Sequence, residues 1–517
     1  MGTELRLAIS FVIGGVAIGI ASMACAASAS DCQNRVNGTE KRLLECIKPS
    51  ALWRHLENLQ KISDENPSAK GHANRDTGTS GYRASVKYVA GLMQHAGYRV
   101  RIQSYLWKRS RTTGTPQFAI DGLAYQYAKD WFVAGLSGSG NIEAQVAIPH
   151  DGNKSFQSET GCTLAAFHNF RRGDIALLKR GECDFDTQIT NAERAGASAV
   201  ILYNDRPASD ARSSYRKQGD GKTFHAELSK EAHIPVIGAV SYALGASLAA
   251  QSMSDHAPAA NIAVRTDIKS DTDYNVIADS PFGDANHNVV VDAHLDSIYG
   301  AGILDNGSGS ATILEIALNL ANTPTKNRLR YIWFGGEELG LLGSRYYTHN
   351  LRHEELKKIA FDIDVDVTAT PNYAVLIADP GHASHKAKFP PNVIPDSQIG
   401  NREFLRYFRT IGIPARIANF GNDGTDSLAF SLAGVPNTGI LTQQNCCKHD
   451  WEVRLWGGFT GNFEGNIPGR NGGCVDWPHR WCDNLSNNNR AVLGFVSKAV
   501  ADVVFQFAND AHLGRAR

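Results

Sequence analysis

The sequence predicts an α/β fold, with a mostly parallel central sheet flanked by helices and interrupted by a β-rich insert. Three observations predict it. In the C-terminal half, apolar strand runs alternate with amphipathic helical runs, the pattern of a sheet covered on both faces. Candidate site residues follow those strand runs directly, where open α/β sheets place their sites. Between two α/β stretches, short strands punctuated by Gly and polar residues take over.

The first element is a leader. Arg6 gives a positive start, residues 7–20 are apolar, and Ala24-Cys25-Ala26 and Ala27-Ser28-Ala29 both fit small-x-small cleavage sites. Residues 1–29 are therefore expected to be a signal peptide, and the mature protein secreted or periplasmic, without stable membrane association. The alternatives are an uncleaved anchor and a lipid anchor on Cys25, which lacks the usual aliphatic residue before it.

Residues 51–64 carry Leu52, Leu56, Leu59 and Ile62 at helical spacing. A polar stretch follows at 66–82. Residues 84–96 repeat the helical pattern and stop at Gly97, and 98–107 alternate as a strand. From Trp131, strands are expected at 143–148, 174–178, 199–203 and 234–240, with a helix at 185–195. From Tyr274, strands are expected at 288–292, 328–334, 360–367, 374–378 and 438–441, and helices at 309–320, 340–349, 404–411 and 490–509.

Charge excludes one class of partner. Lys plus Arg number 52, as do Asp plus Glu, and no long basic run suggests nucleic acid. Nine cysteines become eight once the leader with Cys25 is removed, and an even number in an exported chain favours disulfides. Proximity suggests Cys32–Cys46, Cys162–Cys183 and Cys474–Cys482, leaving adjacent Cys446 and Cys447.

The chemistry concentrates in three blocks. The first is His294-Leu295-Asp296-Ser297 with Asp305-Asn306-Gly307-Ser308-Gly309. The second is Gly335-Gly336-Glu337-Glu338-Leu339-Gly340, and the third is the alternating Asp362, Asp364 and Asp366. Imidazole and carboxylate together suit zinc, and a carboxylate can bridge two ions. Adjacent carboxylates such as Glu337 and Glu338 repel unless metal or protons neutralise them, so they cannot share one role. A spare Glu beside a ligand Glu is what metal-assisted hydrolysis needs as a base. Each residue has a plainer reading: a core histidine, Asp-Asn-Gly turn chemistry, or acids at a helix start. Those readings do not explain why all the blocks occur together.

The blocks resemble the M28 family of zinc aminopeptidases, which have a phosphorylase/hydrolase-like core. The resemblance spans residues 51–106 and 274–507. It implies His294, Asp305 and Asp366 around one zinc, and Glu338, Asp305 and His479 around a second, with Asp305 bridging. It makes Glu337 the general base. Asp296 would hold the His294 tautomer. In the family the Asp-Asn peptide is often cis. Asp366, followed by Thr370-Pro371-Asn372, fits the family's register, whereas Asp362 and Asp364 do not. Asp364 stands where the family commonly has Asn. For the last ligand His449 competes, but His479-Arg480-Trp481-Cys482-Asp483-Asn484-Leu485-Ser486-Asn487 matches the family's ending. Two departures bear on oxyanion stabilisation: Pro478 stands where Tyr is frequent, and Ser427 where a His is. The loop at 457–473 is an expected alternative source of the donor.

Gly173-Asp174-Ile175-Ala176-Leu177-Leu178-Lys179-Arg180-Gly181-Glu182-Cys183-Asp184-Phe185 and Val200-Ile201-Leu202-Tyr203-Asn204 resemble a protease-associated (PA) domain. The expected organisation is a signal at 1–29, a zinc peptidase domain in two parts at 30–130 and 267–517, and the PA insert at 131–266. The expected function is a secreted aminopeptidase that holds two zinc ions and removes N-terminal residues from peptides with a free N-terminus. The alternatives are a carboxypeptidase or glutaminyl-cyclase-like enzyme of the same fold, or a non-catalytic binding ectodomain like the transferrin receptor.

Overall fold

Period-two alternation in the buried strands sets the architecture. In Asp284–His294, Val289, Val291 and Ala293 enter one apolar layer and Val290 enters another, because successive side chains point to opposite faces. Asp292 and His294 therefore share the face of Val290. In Ile359–Val365, Phe361, Ile363 and Val365 join the first layer, which turns Asp362 and Asp364 to the same face as His294.

The computed structural model describes residues 29–150, 158–205, 223–254, 256–383, 386–418, 425–444, 446–464 and 481–514. Its larger sheet has eight strands in the order Arg99–Thr112, Thr266–Asp279, Asn327–Phe334, Asp284–His294, Ile359–Val365, Asn437–Leu441, Leu376–Ala378 and Arg416–Ala418. The four strands from Asn327–Phe334 to Asn437–Leu441 run parallel. Thr266–Asp279 joins them antiparallel and carries Arg99–Thr112 beyond it. Helices Pro49–Glu65, Ser80–His95, Gly307–Leu320 and Arg490–Asn509 pack the first layer. Leu342–His349 and Ser427–Leu432 supply Tyr347 and Phe430 to the second. Arg490–Asn509 is long and apolar enough to cross a membrane, but 72% of its most apolar window is buried inside the protein.

A second sheet has seven strands: Leu123–Ala124, Gln117–Ile120, Ala259–Val264, Gly140–Ala147, Ile175–Lys179, Ala199–Tyr203 and Val236–Val240. Its core is separate from that of the larger sheet. Helix Phe185–Ala195 is capped by Asp184, which accepts the Thr187 N–H at 2.7 Å, and closes on Gly196 at φ 86°. Only Gly adopts that left-handed value without steric cost.

The structure departs from the sequence expectation at several edges. Gln117–Ile120, Ala259–Val264 and the fourteen-residue strand Thr266–Asp279 were not anticipated. Helix Val393–Thr410 begins eleven residues before the expected 404. Pro395 obscured its start, yet Pro is tolerated in a first turn because those N–H groups have no intrahelical partner. Disulfides Cys32–Cys46 and Cys162–Cys183 form as proximity suggested, with Cα atoms 5.5 and 5.8 Å apart. Cys482 is also disulfide-bonded. Residues 1–28 of the expected leader with Cys25, and residues 465–480 with Cys474, Pro478 and His479, lie outside the described residues, as do the Cys446 and Cys447 side chains.

Candidate metal centre

Three adjacent parallel strands end at one place. His294 is the last residue of its strand, Asp366 directly follows Ile359–Val365, and Glu337 and Glu338 follow Asn327–Phe334 through two glycines. Asp305 arrives from the loop before helix Gly307–Leu320, across a cis Asp305–Asn306 peptide. His294 Nε2 lies 3.2 Å from Asp305 Oδ1, 3.5 Å from Asp366 Oδ1 and 3.9 Å from Glu337 Oε2. One ligand atom from each of His294, Asp305 and Asp366 falls within 4.8 Å of the others, a spacing that could hold a metal ion. Asp362 and Asp364 lie further back along the strand on the same face, and Asp364 accepts the Ser427 N–H at 3.1 Å.

The imidazole is oriented from behind. His294 Nδ1 lies 3.1 Å from the Asp296 backbone carbonyl and 3.5 Å from Asp296 Oδ1. A carbonyl only accepts, so Nδ1 carries a proton, which leaves Nε2, on the side of the carboxylates, as the nitrogen able to ligate a metal. Asp296 is fully buried. Its Oδ2 accepts the Thr77 hydroxyl at 2.9 Å, and its Oδ1 accepts the Glu337 backbone N–H at 3.2 Å. The Asp296 side chain therefore reaches the segment carrying Glu337 as well as His294.

Charge in the site is one-sided. Burial opposes a charged His294, yet Glu337, Asp296, Asp305 and Asp366 push its pKa well above the usual histidine value. Burial raises the Glu337 pKa far above the ordinary carboxylate range, and Glu338, Asp426 and Asp366 add to that against His294. Asp292 is raised by burial and then by Asp362, Asp362 and Asp426 are raised by burial and then by Asp364, and Asp364 itself is pushed up to about 7 by burial and then by Asp366. Such an excess of buried carboxylate calls for a cation, and imidazole with carboxylates is a donor set that suits zinc. The residues present thus fit a metal.

Several supporting residues were invisible as sequence. Arg75 is fully buried. It donates to the carbonyls of Leu295 at 2.6 Å, Ala301 at 2.7 Å and Gly302 at 2.5 Å, gripping the loop between His294 and Asp305. Asp483 accepts the N–H groups of Leu304 at 2.7 Å and Asp305 at 3.1 Å. The sequence offered only Arg75 amid turn-forming neighbours, and Asp483 as a register marker. His449, the competing ligand, starts helix Asp450–Trp456, where its backbone N–H donates to Glu452 at 2.8 Å.

Asp305, Glu337 and Glu338 open into a cavity of about 370 Å³ whose lining also includes Arg180, Asp184, His225 and Glu227 from the insert. That volume matches a small-ligand site. The second sheet's segment is thus part of the site wall, a role that fold-level pattern did not assign to individual residues.

The chain is similar to known proteins in both of its parts. The family model described as peptidase family M28 matches residues 275–504, and that of the PA domain matches residues 143–248. The chain is 32% identical over 472 residues to an aminopeptidase of Pseudomonas aeruginosa strain UCBPP-PA14, covering 89% of this chain and 81% of that one. Among solved structures, an aminopeptidase from Aneurinibacillus sp. strain AM-1 superposes with TM-score 0.66 at 20% identity, over 92% of this chain and 97% of that one. A zinc aminopeptidase from Bacillus subtilis superposes with TM-score 0.53 at 20% identity, over 90% and 96%.

Proposed function

The chain belongs to peptidase family M28, and from that premise we propose that it is an exported zinc aminopeptidase acting on peptides with a free N-terminus. The observation that supports this reading most directly is the convergence of His294, Asp305 and Asp366 ligand atoms within 4.8 Å beside Glu337. The aminopeptidase activity of the relatives and the zinc of the Bacillus subtilis enzyme are consistent with it.

In this proposal His294, Asp305 and Asp366 would hold one zinc, and Glu338, Asp305 and His479 would hold a second. Bound zinc would supply Lewis-acid polarisation of the scissile carbonyl and activation of water. Glu337 takes the proton from the attacking water and returns it to the leaving amine. Burial raises its pKa above the ordinary carboxylate range, the direction that strengthens it as a base. Asp296 fixes the His294 tautomer and anchors the Glu337 backbone. The acids at the strand ends also provide a negative surface for the substrate α-ammonium. The division into a peptidase domain at 30–130 and 267–517, with an insert at 131–266 behind a cleaved leader, belongs to the same reading.

The test compares wild type with Glu337→Gln on leucine p-nitroanilide, with zinc counted on both. Loss of roughly a hundredfold or more in kcat, with zinc content unchanged at about two per chain, is expected. A wild type that binds less than one zinc when metal-replete would sink the catalytic reading.

A further inference from the structure

Glu227 belongs to the insert yet lines the catalytic cavity together with Asp305, Glu337 and Glu338. It also lines a second, larger cavity of about 780 Å³. His225, Ser229, Ile298 and Tyr299 share both linings, so these residues form the waist between the two spaces. Tyr299 stands five residues beyond His294. Its backbone N–H and that of Gly300 are taken by Asp76, which holds Tyr299 at φ 56°.

The insert's other acids in the cavity wall are already satisfied. Asp184 accepts the Thr187 N–H at 2.7 Å. Asp186 accepts the backbone N–H groups of Ser229 and Lys230, both at 3.0 Å, and the Ser229 hydroxyl. The cations of the wall are also engaged. Arg180 lies over the Phe224 ring at 4.9 Å, and Lys388 and Arg345 act on Asp184. Glu227 differs from all of these. Among the described residues its carboxylate has no hydrogen bond and no ion pair, and burial alone pushes its pKa up to about 7. Burial lowers neighbouring His225 to about 4, so that ring brings no charge near neutral pH. Space for the carboxylate exists because residue 135 is glycine: a Cβ there would sit 1.7 Å from Glu227 Oε2.

A carboxylate with no partner, part-buried in a wall shared by two cavities, is well placed to meet a cation. The α-ammonium of a substrate must stay at the reacting centre, beside the strand-end carboxylates. What can reach the waist from there is a long side chain of the N-terminal residue. We propose that Glu227 is a specificity-determining residue whose carboxylate receives the ammonium or guanidinium of an N-terminal lysine or arginine. The inference rests on the aminopeptidase reading above and deepens it by naming a substrate class.

The experiment measures kcat/KM for the p-nitroanilides of lysine, arginine and leucine with wild type, Glu227→Gln and Glu337→Gln. Glu227→Gln lowers the lysine-to-leucine and arginine-to-leucine ratios at least tenfold, mainly through KM. Unchanged ratios, or equal losses on all three substrates, overturn the proposal. A second measurement needs no variant: lysinol inhibits wild-type leucine hydrolysis at least tenfold more strongly than norleucinol, which has a similar shape without the charge. Equal inhibition overturns the proposal even if Glu227→Gln fails to fold. Failure of the underlying reading looks different, since wild type would then cleave none of the three substrates, or Glu337→Gln would cleave them all as well as wild type.

Discussion

Asn306 brackets Asp366: its Nδ2 donates to the Val365 carbonyl at 2.8 Å, and its Oδ1 accepts the Val367 N–H at 3.1 Å. The same Oδ1 caps helix Gly307–Leu320 through the Gly309 N–H at 2.8 Å. Asn306 follows Asp305 directly, so one amide sets the position of two of the carboxylates that face His294. An aspartate here could not donate to Val365 and would add charge to a site already crowded with acids. Asn306→Asp is therefore expected to lose about 10- to 100-fold in zinc affinity or kcat/KM, the range for residues that orient metal ligands. Metal titration alongside kinetics checks it, and wild-type values in both would refute the coupling.

Asp296 links the other two parts of the site. Its backbone carbonyl faces His294 Nδ1, while its carboxylate holds the Glu337 N–H and the Thr77 hydroxyl. Asp296→Asn keeps the carbonyl but offers one acceptor oxygen where two were used. We expect kcat to fall about 10- to 100-fold with zinc retained, because the Glu337 segment loses its anchor before His294 does. Loss of zinc without loss of kcat in metal-replete enzyme would reverse that assignment.

His294, Asp305, Glu337 and Asp366 could be picked out of the sequence because each sits in a short block beside a strand end, and period two alone put three aspartates on one face. Arg75 could not. Its partners are the carbonyls of Leu295, Ala301 and Gly302, more than 200 positions away, and backbone carbonyls leave no trace in a side-chain pattern. Glu227 was silent for a similar reason, since its meaning depends on a cavity formed between the two sheets' segments. The strand Thr266–Asp279 was missed because Lys269, Asp271 and Asp273 interrupt it, and that part becomes a strand through its pairing with Arg99–Thr112. Local chemistry was legible, and contacts closed over long sequence distances were not.

Arg75 carries a stability prediction. Its guanidinium is fully buried, and burial lowers its pKa to about 10 against the pull of Asp483, Asp296 and Asp76. Arg75→Met leaves three buried carbonyls without donors and removes the counter-charge of the surrounding acids. A loss of about 3–5 kcal/mol is expected, read as a shifted midpoint in denaturant unfolding. Arg75→Lys should recover only part of it, since an ammonium lacks the planar fork that spans three acceptors. Full rescue by lysine would show that charge alone matters there.

Asp273 gives the pH dependence. It is fully buried, and its Oδ2 accepts the Gly78 N–H at 2.7 Å. Burial pushes its pKa up from 3.8 to about 7, with a further upward push from Asp296. Below about pH 4 the group is protonated in the folded and unfolded chains alike, and its contribution to stability is fully present. Between about pH 4 and 7 only the folded chain keeps the proton, so the contribution is lost as pH rises through the folded pKa. A shift of about three units corresponds to about 4 kcal/mol at most. Asp273→Asn cannot ionise and should lack this slope. Unfolding free energies of wild type and variant, compared at pH 5 and pH 8, should show the wild-type advantage shrinking by about 2–4 kcal/mol as pH rises. Taking the difference between the two proteins cancels the titration of the metal-site acids they share, so a constant gap, or one that widens with pH, would mean that Asp273 is ionised in the folded protein throughout.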